Sequence, residues 1–394
     1  EKVESAMNQA RPSLLILGTR GIPASHGGFE TFAEKLALFL AKRGWHVGVY
    51  CQEEVEHVTE EVRSTTWQGV ELIHVQVAST GPRATLEFDW KCVRHAATRP
   101  SVCLVLGYNG AIFLPYLKAK GRKIMTNMDG IEWKRAKWSL PIKAWFWLNE
   151  WIAAWSSDRL VADHPAIADH LATRRPRTST VMIPYGGVPV RSAPTAPVEA
   201  LGLQPDRYFV SIARIEPDNS ILTLVKAFSR KKRNAKLVVL GTFMDGNVYH
   251  QEILKAASDE VIFPGAIYDE RAVQALRFHA RAYVHGHTVG GTNPSLVESL
   301  AAGNCVIAHD NKYNRWTAGE AAVFFSDETS CEAGFERLLR DDVVVRRAQS
   351  AARVRAETEF TWDKVLTTYE GELLALGSFD RDVLKSPPRA LAGE

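Results

Sequence analysis

The chain has 394 residues, 46% of them hydrophobic and 24% charged, with a formal net charge of +3. That composition fits a globular protein with two cores, at about 100–200 residues per domain, and the small charge gives no argument for nucleic acid. The polar start, residues 1–13, does not read as a signal peptide, and no run of about 18 apolar residues offers a membrane span.

The five cysteines, Cys51, Cys92, Cys103, Cys305 and Cys331, are odd in number and form no CxxC pair. The expectation is a reduced, cytoplasmic setting without a disulfide frame or a thiolate metal site.

Residues 13–17 are a short apolar run, which predicts a buried parallel strand. A glycine-rich loop follows over 18–28, then helical spacing over 29–40, with Gly44 as its stop and a second strand over 45–50. This is a βαβ start whose loop suits a nucleotide or sugar. Gly18-x-x-Gly21 is not GxGxxG, and no GKS or GKT follows, so neither a dinucleotide fingerprint nor a Walker A loop is present.

Strands are predicted over 70–75, 102–106 and 122–128, the last leading to Asp129 and Gly130. Ligands of open α/β sheets sit at the carboxyl ends of strands, where Asp129 and the first glycine loop both fall. The plain alternative for Asp129 is a turn residue, because Asp-Gly is a common turn pair. Six tryptophans follow within 133–155, with Lys134, Arg135, Lys137 and Lys143 among them. Tryptophan with lysine suits a membrane interface, whereas a buried core helix is the ordinary alternative.

Strand patterns over 159–164 and 180–183 close a first α/β unit. Residues 188–206, rich in proline and alanine, read as a linker. A second unit then alternates strands (207–213, 235–241, 261–265, 282–285, 305–308) with helices, the first over 221–229. Arg214, at a strand end, is a good phosphate partner, or else a surface ion-pair partner of Glu216 or Asp218. His285, His287 and His309 show no convergence that would argue for a metal.

The stretch 289–303 carries the strongest signal. Gly290 and Gly291 feed a helix start, whose unpaired N–H groups and dipole suit an anion such as phosphate. Thr292, Asn293 and Ser295 are capping candidates, and Pro294 suits the first turn. Glu298, one turn further in, could accept hydrogen bonds from ribose hydroxyls; a solvent-facing glutamate is the bland alternative. The fold class is thus α/β, with two doubly wound Rossmann-like domains facing a central cleft. The boundaries are 1–187 for the first domain, 188–206 for the linker and 207–360 for the second domain. Residues 361–394 are expected to form a helix packing back on the first domain, plus a loose tail with two adjacent prolines.

From about Leu14 to Leu376 the chain resembles the two-domain GT-B glycosyltransferases of family 4. The phrases LGTRGIPASHGGFET, NMDGIEWKR and GGTNPSLVESLAAG resemble more narrowly the bacterial rhamnosyltransferases of capsule and exopolysaccharide clusters. The resemblance implies transfer of a sugar, L-rhamnose from dTDP-L-rhamnose, with retention and without a metal or other cofactor. The acceptor would be a glycan or a polyprenyl-diphosphate-linked oligosaccharide, with the enzyme peripheral on the inner membrane. Glu298 matches the second glutamate of the family's E-x7-E motif, which binds the donor ribose. The segment Gly291, Thr292, Asn293 and Ser295 matches the one that holds the diphosphate and sugar. Arg214 matches the residue that neutralises the leaving diphosphate, and Asp129 falls where relatives place a histidine on the donor sugar. Arg20, Gly21, Gly28 and Glu30 belong to the first-domain loop near donor and acceptor, and Tyr268 to the region that meets the base.

Two positions depart from the pattern. The first motif glutamate is replaced by Gly290, and the lysine expected five residues after Arg214 is Asn219. A 6-deoxy donor and charge from Arg20 would account for both; lost catalysis is the alternative. An epimerase of the same fold would need catalytic carboxylates and a histidine in the cleft. A non-catalytic protein would bind sugar nucleotide without turnover. A nicotinamide-dependent dehydrogenase is disfavoured by the missing GxGxxG.

Overall fold

The computed structural model describes residues 11–24 and 27–379. The readings made on residues 1–10 and on the proline-containing tail from 380 lie outside that range. The chain divides into two compact units, 1–183 with 366–394 and 184–365.

Unit 1 is built on an eight-stranded sheet. Its strands are β1 (Ser13–Leu17), β2 (His46–Glu54), β3 (Val62–Trp67), β4 (Val70–Val77), β5 (Val102–Leu106), β6 (Ile124–Asn127), β7 (Arg159–Ala162) and β8 (Thr180–Met182). Their order is β3-β4-β2-β1-β5-β6-β7-β8. All neighbours run parallel except β3, which is antiparallel to β4. The central strands are continuous apolar runs because helices cover both faces of a parallel sheet: Leu14, Leu15 and Ile16 are fully buried. Sequence reading missed β3, whose Arg-Ser-Thr-Thr stretch is exposed at the sheet edge. Its clue was the Gln68-Gly69 pair, where both residues have positive φ (49° and 82°), as a tight type I′ hairpin requires.

The last helix, Trp362–Gly377, belongs to unit 1 from Leu366 onward. The buried Tyr369 hydroxyl accepts from Asn127 Nδ2 at 2.9 Å, and its ring packs 4.7 Å from that of Phe32. Buried Glu370 accepts from Arg43 Nε at 2.8 Å and Trp45 Nε1 at 3.1 Å. These partners lie more than 200 residues away in sequence, which is why helical periodicity alone does not reveal them.

Unit 2 has six parallel strands: β9 (Tyr208–Ile212), β10 (Lys236–Leu240), β11 (Val261–Gly265), β12 (Ala282–His285), β13 (Val306–His309) and β14 (Ala322–Phe325). Their order is β11-β10-β9-β12-β13-β14. Alternate residues feed two cores, Phe209, Val284 and Ile307 on one face and Val210, Tyr283 and Val306 on the other. The stretch 188–206 is not an open connector. It carries the short helix Ala196–Glu199, and Val198 and Leu203 are buried in the second of these cores. Its proline and alanine content hid two anchoring aliphatic residues.

Each sheet has one place where the strand order reverses. In unit 2 the chain runs outward from β9 through β10 to β11, then returns to β12 on the other side. In unit 1 the reversal lies between β1 and β5. Loops leaving the two strands of such a pair diverge and open a crevice at their carboxyl ends.

Candidate functional site

In unit 2 the two loops at the reversal are those picked out in the sequence. Gly286, just after β12, has no room for a side chain: a Cβ would stand 2.2 Å from the Asn219 carbonyl oxygen in the loop after β9. Thr288 ties the same loops together, donating its N–H and hydroxyl to Asp218 O at 2.9 and 3.0 Å.

Within the β9 loop, Asn219 is buried and its amide donates to Arg214 O at 2.8 Å. That nitrogen therefore shapes the loop. Ser220 follows in the left-handed region (φ 55°) and starts the helix Ile221–Ser229. The Arg214 side chain is 71% exposed, with its nearest carboxylate, Glu216, at 3.9 Å. An exposed pair this long adds little stability, so the guanidinium stands at the strand end without a structural task.

The β12 loop leads into the helix Pro294–Ala301. Asn293 is its cap, accepting from Ser295 N at 3.0 Å. The Ser295 hydroxyl lies 2.6 Å from that of Tyr283 and 3.2 Å from Ile212 O, so it belongs to the scaffold beneath the loop. Thr292 is buried and Gly291 half-buried. Gly290 adopts a φ of 125°, open to glycine and costly for an L side chain, although nothing crowds the space around it. A glutamate at this position would have to adopt that strained φ.

Glu298 projects from this helix, 38% exposed, and its Oε2 stands 2.7 Å from Arg277 Nη2. Sequence reading did not single out Arg277. The signal available was an arginine directly after Leu276 on the buried side of the helix Glu270–Phe278. Tyr268, after β11, is exposed.

Beside the loop, His285 is fully buried with no hydrogen bond at either ring nitrogen, and its ring stacks on that of His287 at 4.1 Å. Burial, then the neighbouring His287 and His309, hold its pKa well below the ordinary histidine value. His285 is therefore a neutral ring at neutral pH. Among the described residues no group of three or more His, Cys, Asp or Glu is arranged to hold a metal ion.

Unit 1 places its own set at the β1/β5 reversal. Gly18 has a φ of 84° and lies against β5, where a Cβ would meet Leu106 O at 2.2 Å. Gly21 (φ 126°) packs on Cys51 of β2. Both glycines answer to packing whether or not a ligand binds there. Gly28 opens the helix Gly28–Lys42, and Glu30 in its first turn accepts from Arg20 N at 3.4 Å. Glu34 accepts from Ala24 N at 2.5 Å. The Arg20 side chain is exposed. Asp129, one strand further along, has a φ of 52°, and its N–H donates to Asn127 Oδ1 at 3.0 Å. Tyr108 fixes this turn, donating its hydroxyl to Gly130 O (3.0 Å) and accepting from Glu132 N (2.9 Å). Asp129 is thus a left-handed turn residue at a strand end, a conformation aspartate tolerates better than most residues.

The structure therefore gathers Arg214, Asn219, Gly291, Thr292, Asn293, Ser295 and Glu298 at one reversal of unit 2. Arg20, Gly21, Gly28 and Glu30 gather at the reversal of unit 1. Tyr268 and Asp129 stand on other loops at strand ends.

Residues 198–355 match the family model described as glycosyl transferases group 1. That segment is a glycosyl transferases group 1 domain, and the chain has the fold of GT-B glycosyltransferases. Residues 11–188 match a model described only as a domain of unknown function (DUF1972). No curated protein matches the chain. Solved structures share its fold at low identity. Sucrose-phosphate synthase from Thermosynechococcus elongatus is 18% identical with a TM-score of 0.75, covering 93% of this chain and 100% of its own. The α,α-trehalose 6-phosphate synthase of Burkholderia multivorans is 13% identical with a TM-score of 0.73, covering 94% and 99%. HepE of Anabaena, in complex with UDP, is 14% identical with a TM-score of 0.69, covering 92% and 100%.

The tryptophan cluster splits in two. Buried Glu150, in the helix Leu140–Ser156, accepts from Trp133 Nε1 (3.0 Å), His170 Nε2 (2.9 Å) and Arg174 Nε (2.6 Å). Burial pushes the Glu150 carboxyl up, but these partners outweigh it and hold it below the usual carboxylate value. Arg174 lies 4.7 Å over the Trp151 ring, so Trp133 and Trp151 belong to this network. Trp147, edge-on to Trp151 at 6.1 Å, and Trp155, under Arg175 at 5.7 Å, make no hydrogen bond to Glu150. They are 46% and 56% exposed, in line with exposed Leu140 and Leu148 on one helix face. No helix among the described residues is long and apolar enough to cross a membrane.

Proposed function

We propose that the chain transfers L-rhamnose from dTDP-L-rhamnose to a glycan or a polyprenyl-diphosphate-linked oligosaccharide, with retention at the anomeric carbon. The carrying observation is the meeting of the Arg214 loop and the Gly290–Asn293 turn beside Glu298, at the reversal of the unit 2 sheet. The sugar rests on the sequence phrases given above. In this reading Glu298 takes the deoxyribose hydroxyl. The Gly291 turn and Arg214 take the diphosphate. The acceptor hydroxyl attacks the anomeric carbon on the face the diphosphate leaves. Arg214 stabilises the charge gathering on departing dTDP, as a fixed charge does in a preorganised site. No metal has a role in it. Asp129 and the Arg20–Glu30 loop are assigned to the donor sugar and acceptor, and Tyr268 to the base.

Calorimetry against dTDP, UDP, GDP and NAD without added metal tests this. HepE's complex with UDP makes pyrimidine nucleotides the natural probes. The expected order is dTDP tightest and NAD silent. Preference for UDP or GDP would replace the donor. Binding of none would favour a non-catalytic protein, a reading that draws on the backbone path at Gly290 and the buried Asn219.

The exposed tryptophan face is assigned to the anionic inner surface of the membrane, on the cytoplasmic side. Lys118 Nζ donates to Trp155 O, and Arg175 lies 5.7 Å over the Trp155 ring. Basic groups beside half-exposed indoles match an anionic lipid interface. The double change Trp147→Ser with Trp155→Ser should reduce co-sedimentation with phosphatidylglycerol vesicles about tenfold or more, at the ~0.8 kcal/mol expected per CH2-sized apolar group withdrawn from lipid. Its melting temperature should stay near wild type, because both rings are half outside the core. Trp151 is left in place, since Arg174 stacks on it. Undiminished vesicle binding would remove this face from membrane contact.

A further inference from the structure

We propose that Arg277 positions the Glu298 carboxylate for the nucleoside ribose, an inference that rests on the assignment of Glu298 to the ribose hydroxyls. Arg277 sits in the last turn of the helix Glu270–Phe278, and its side chain is 7% exposed. Arginine is seldom buried without paired partners. Here Nη2 stands 2.7 Å from Glu298 Oε2 and 3.2 Å from Ser295 Oγ. Ser295 and Glu298 are three residues apart, so they share one face of the helix Pro294–Ala301, and the one nitrogen Nη2 reaches both.

The pair is anchored to the sheet. The Ser295 and Tyr283 hydroxyls are 2.6 Å apart, and each lies within 3.2 Å of Ile212 O. Ile212 ends β9 and Tyr283 lies in β12, the two strands that flank the crevice. Asn304 Nδ2 donates to Arg277 O at 2.6 Å and fixes the backbone from below. An unrestrained glutamate on a helix surface samples several rotamers. The ion pair selects one and holds it through a chain that begins at the strands.

The chemistry leaves the carboxylate usable. An ionised carboxylate has about four acceptor sites, of which Arg277 engages one. Oε1 and the outward side of Oε2 remain, and the side chain is 38% exposed on that side of the helix. Arg277 itself stays behind the carboxylate, so it acts through Glu298. Binding then begins from a fixed acceptor, which is how preorganisation raises affinity.

The test separates positioning from support. A merely structural arginine would weaken all nucleotides alike when replaced. A positioning arginine would erase the preference for a nucleotide that bears ribose hydroxyls. Calorimetry on wild type, Glu298→Gln and Arg277→Met uses dTDP against 3′-deoxy-dTDP, and UDP against 2′,3′-dideoxy-UDP. Wild type should prefer the hydroxyl-bearing member by about tenfold or more, the worth of a charge-assisted hydrogen bond. Both variants should fall to within about twofold, with affinity for the deoxy member nearly unchanged. An Arg277→Met protein that keeps the wild-type preference overturns the proposal. A wild type without preference, or Glu298→Gln with it intact, removes the ribose role of Glu298 and this inference with it, and both results come from proteins in which Arg277 is untouched. If Arg277→Met does not fold, Arg277→Gln decides. Its amide carries no charge and stops two bonds short of the Nη2 position that meets Ser295 and Glu298, so a preference lowered about threefold or more supports the proposal and an undiminished one overturns it.

Discussion

Glu298→Ala should weaken dTDP binding by roughly 30-fold to 100-fold. A hydrogen bond from a ribose hydroxyl to a carboxylate is worth about 1.5–3 kcal/mol, which is about 10-fold to 150-fold in affinity. The variant also removes the counter-charge of Arg277, whose guanidinium is 7% exposed. Breaking a fully buried pair by removing one partner costs about 3–5 kcal/mol. The 38% exposure of Glu298 makes this pair only partly buried, and water can reach its side of the guanidinium, so a smaller loss is expected. Glu298→Ala should therefore lower both affinity and melting temperature, whereas Glu298→Gln keeps the shape and loses mainly affinity. The measurement is calorimetry with dTDP beside thermal unfolding of both variants. An alanine variant that melts lower and binds dTDP as tightly as wild type would make the Glu298–Arg277 pair purely structural.

Much of the strand framework could be read from the chain. Short apolar runs such as 13–17 and 102–106 have few ways to be buried other than as central parallel strands, so their pattern carries their position. The glycines at the strand ends were legible as well, but their reason was not. Gly21 and Gly286 are needed because other chain segments press on them, and sequence spacing holds no record of which segments meet. Polar side chains were harder still. Ser295 looks like a ligand-facing cap in the sequence, whereas in the structure Asn293 is the cap and the Ser295 hydroxyl joins Tyr283 and Ile212. Arg277 escaped notice because its partner is 21 residues away, beyond any local pattern. The tryptophans show the same limit. Trp151 and Trp155 share a helix and a residue type, and each has an arginine over its ring, yet only Trp155 is exposed. Composition suggested an interface for the whole group, but only tertiary partners could divide it.

Arg214→Ala should lower the rate of dTDP release from dTDP-L-rhamnose by about 100-fold to 1000-fold, with a much smaller change in dTDP affinity. Removing one preorganised charge or donor from a developing oxyanion costs about 2.7–4 kcal/mol in the transition state. In the proposed function the turn after β12 would also hold the diphosphate and Glu298 the ribose, so in the ground state the loss of one cation would be shared. The structural side of the change is small. Arg214 is 71% exposed, and its nearest carboxylate is 3.9 Å away. The loop itself is held by Asn219 Nδ2 on the Arg214 carbonyl, a contact that alanine preserves because it uses the backbone. Melting temperature should therefore stay at the wild-type value, and a fall in rate can be read as chemistry. Arg214→Lys should recover part of the rate, since it restores the charge without the two-pronged geometry. The asymmetry between rate and affinity is what marks a group acting on the leaving diphosphate. Equal losses in both would make Arg214 a ground-state binder, and an unchanged rate would place the charge that balances the leaving group elsewhere, with exposed Arg20 of unit 1 the next residue to replace.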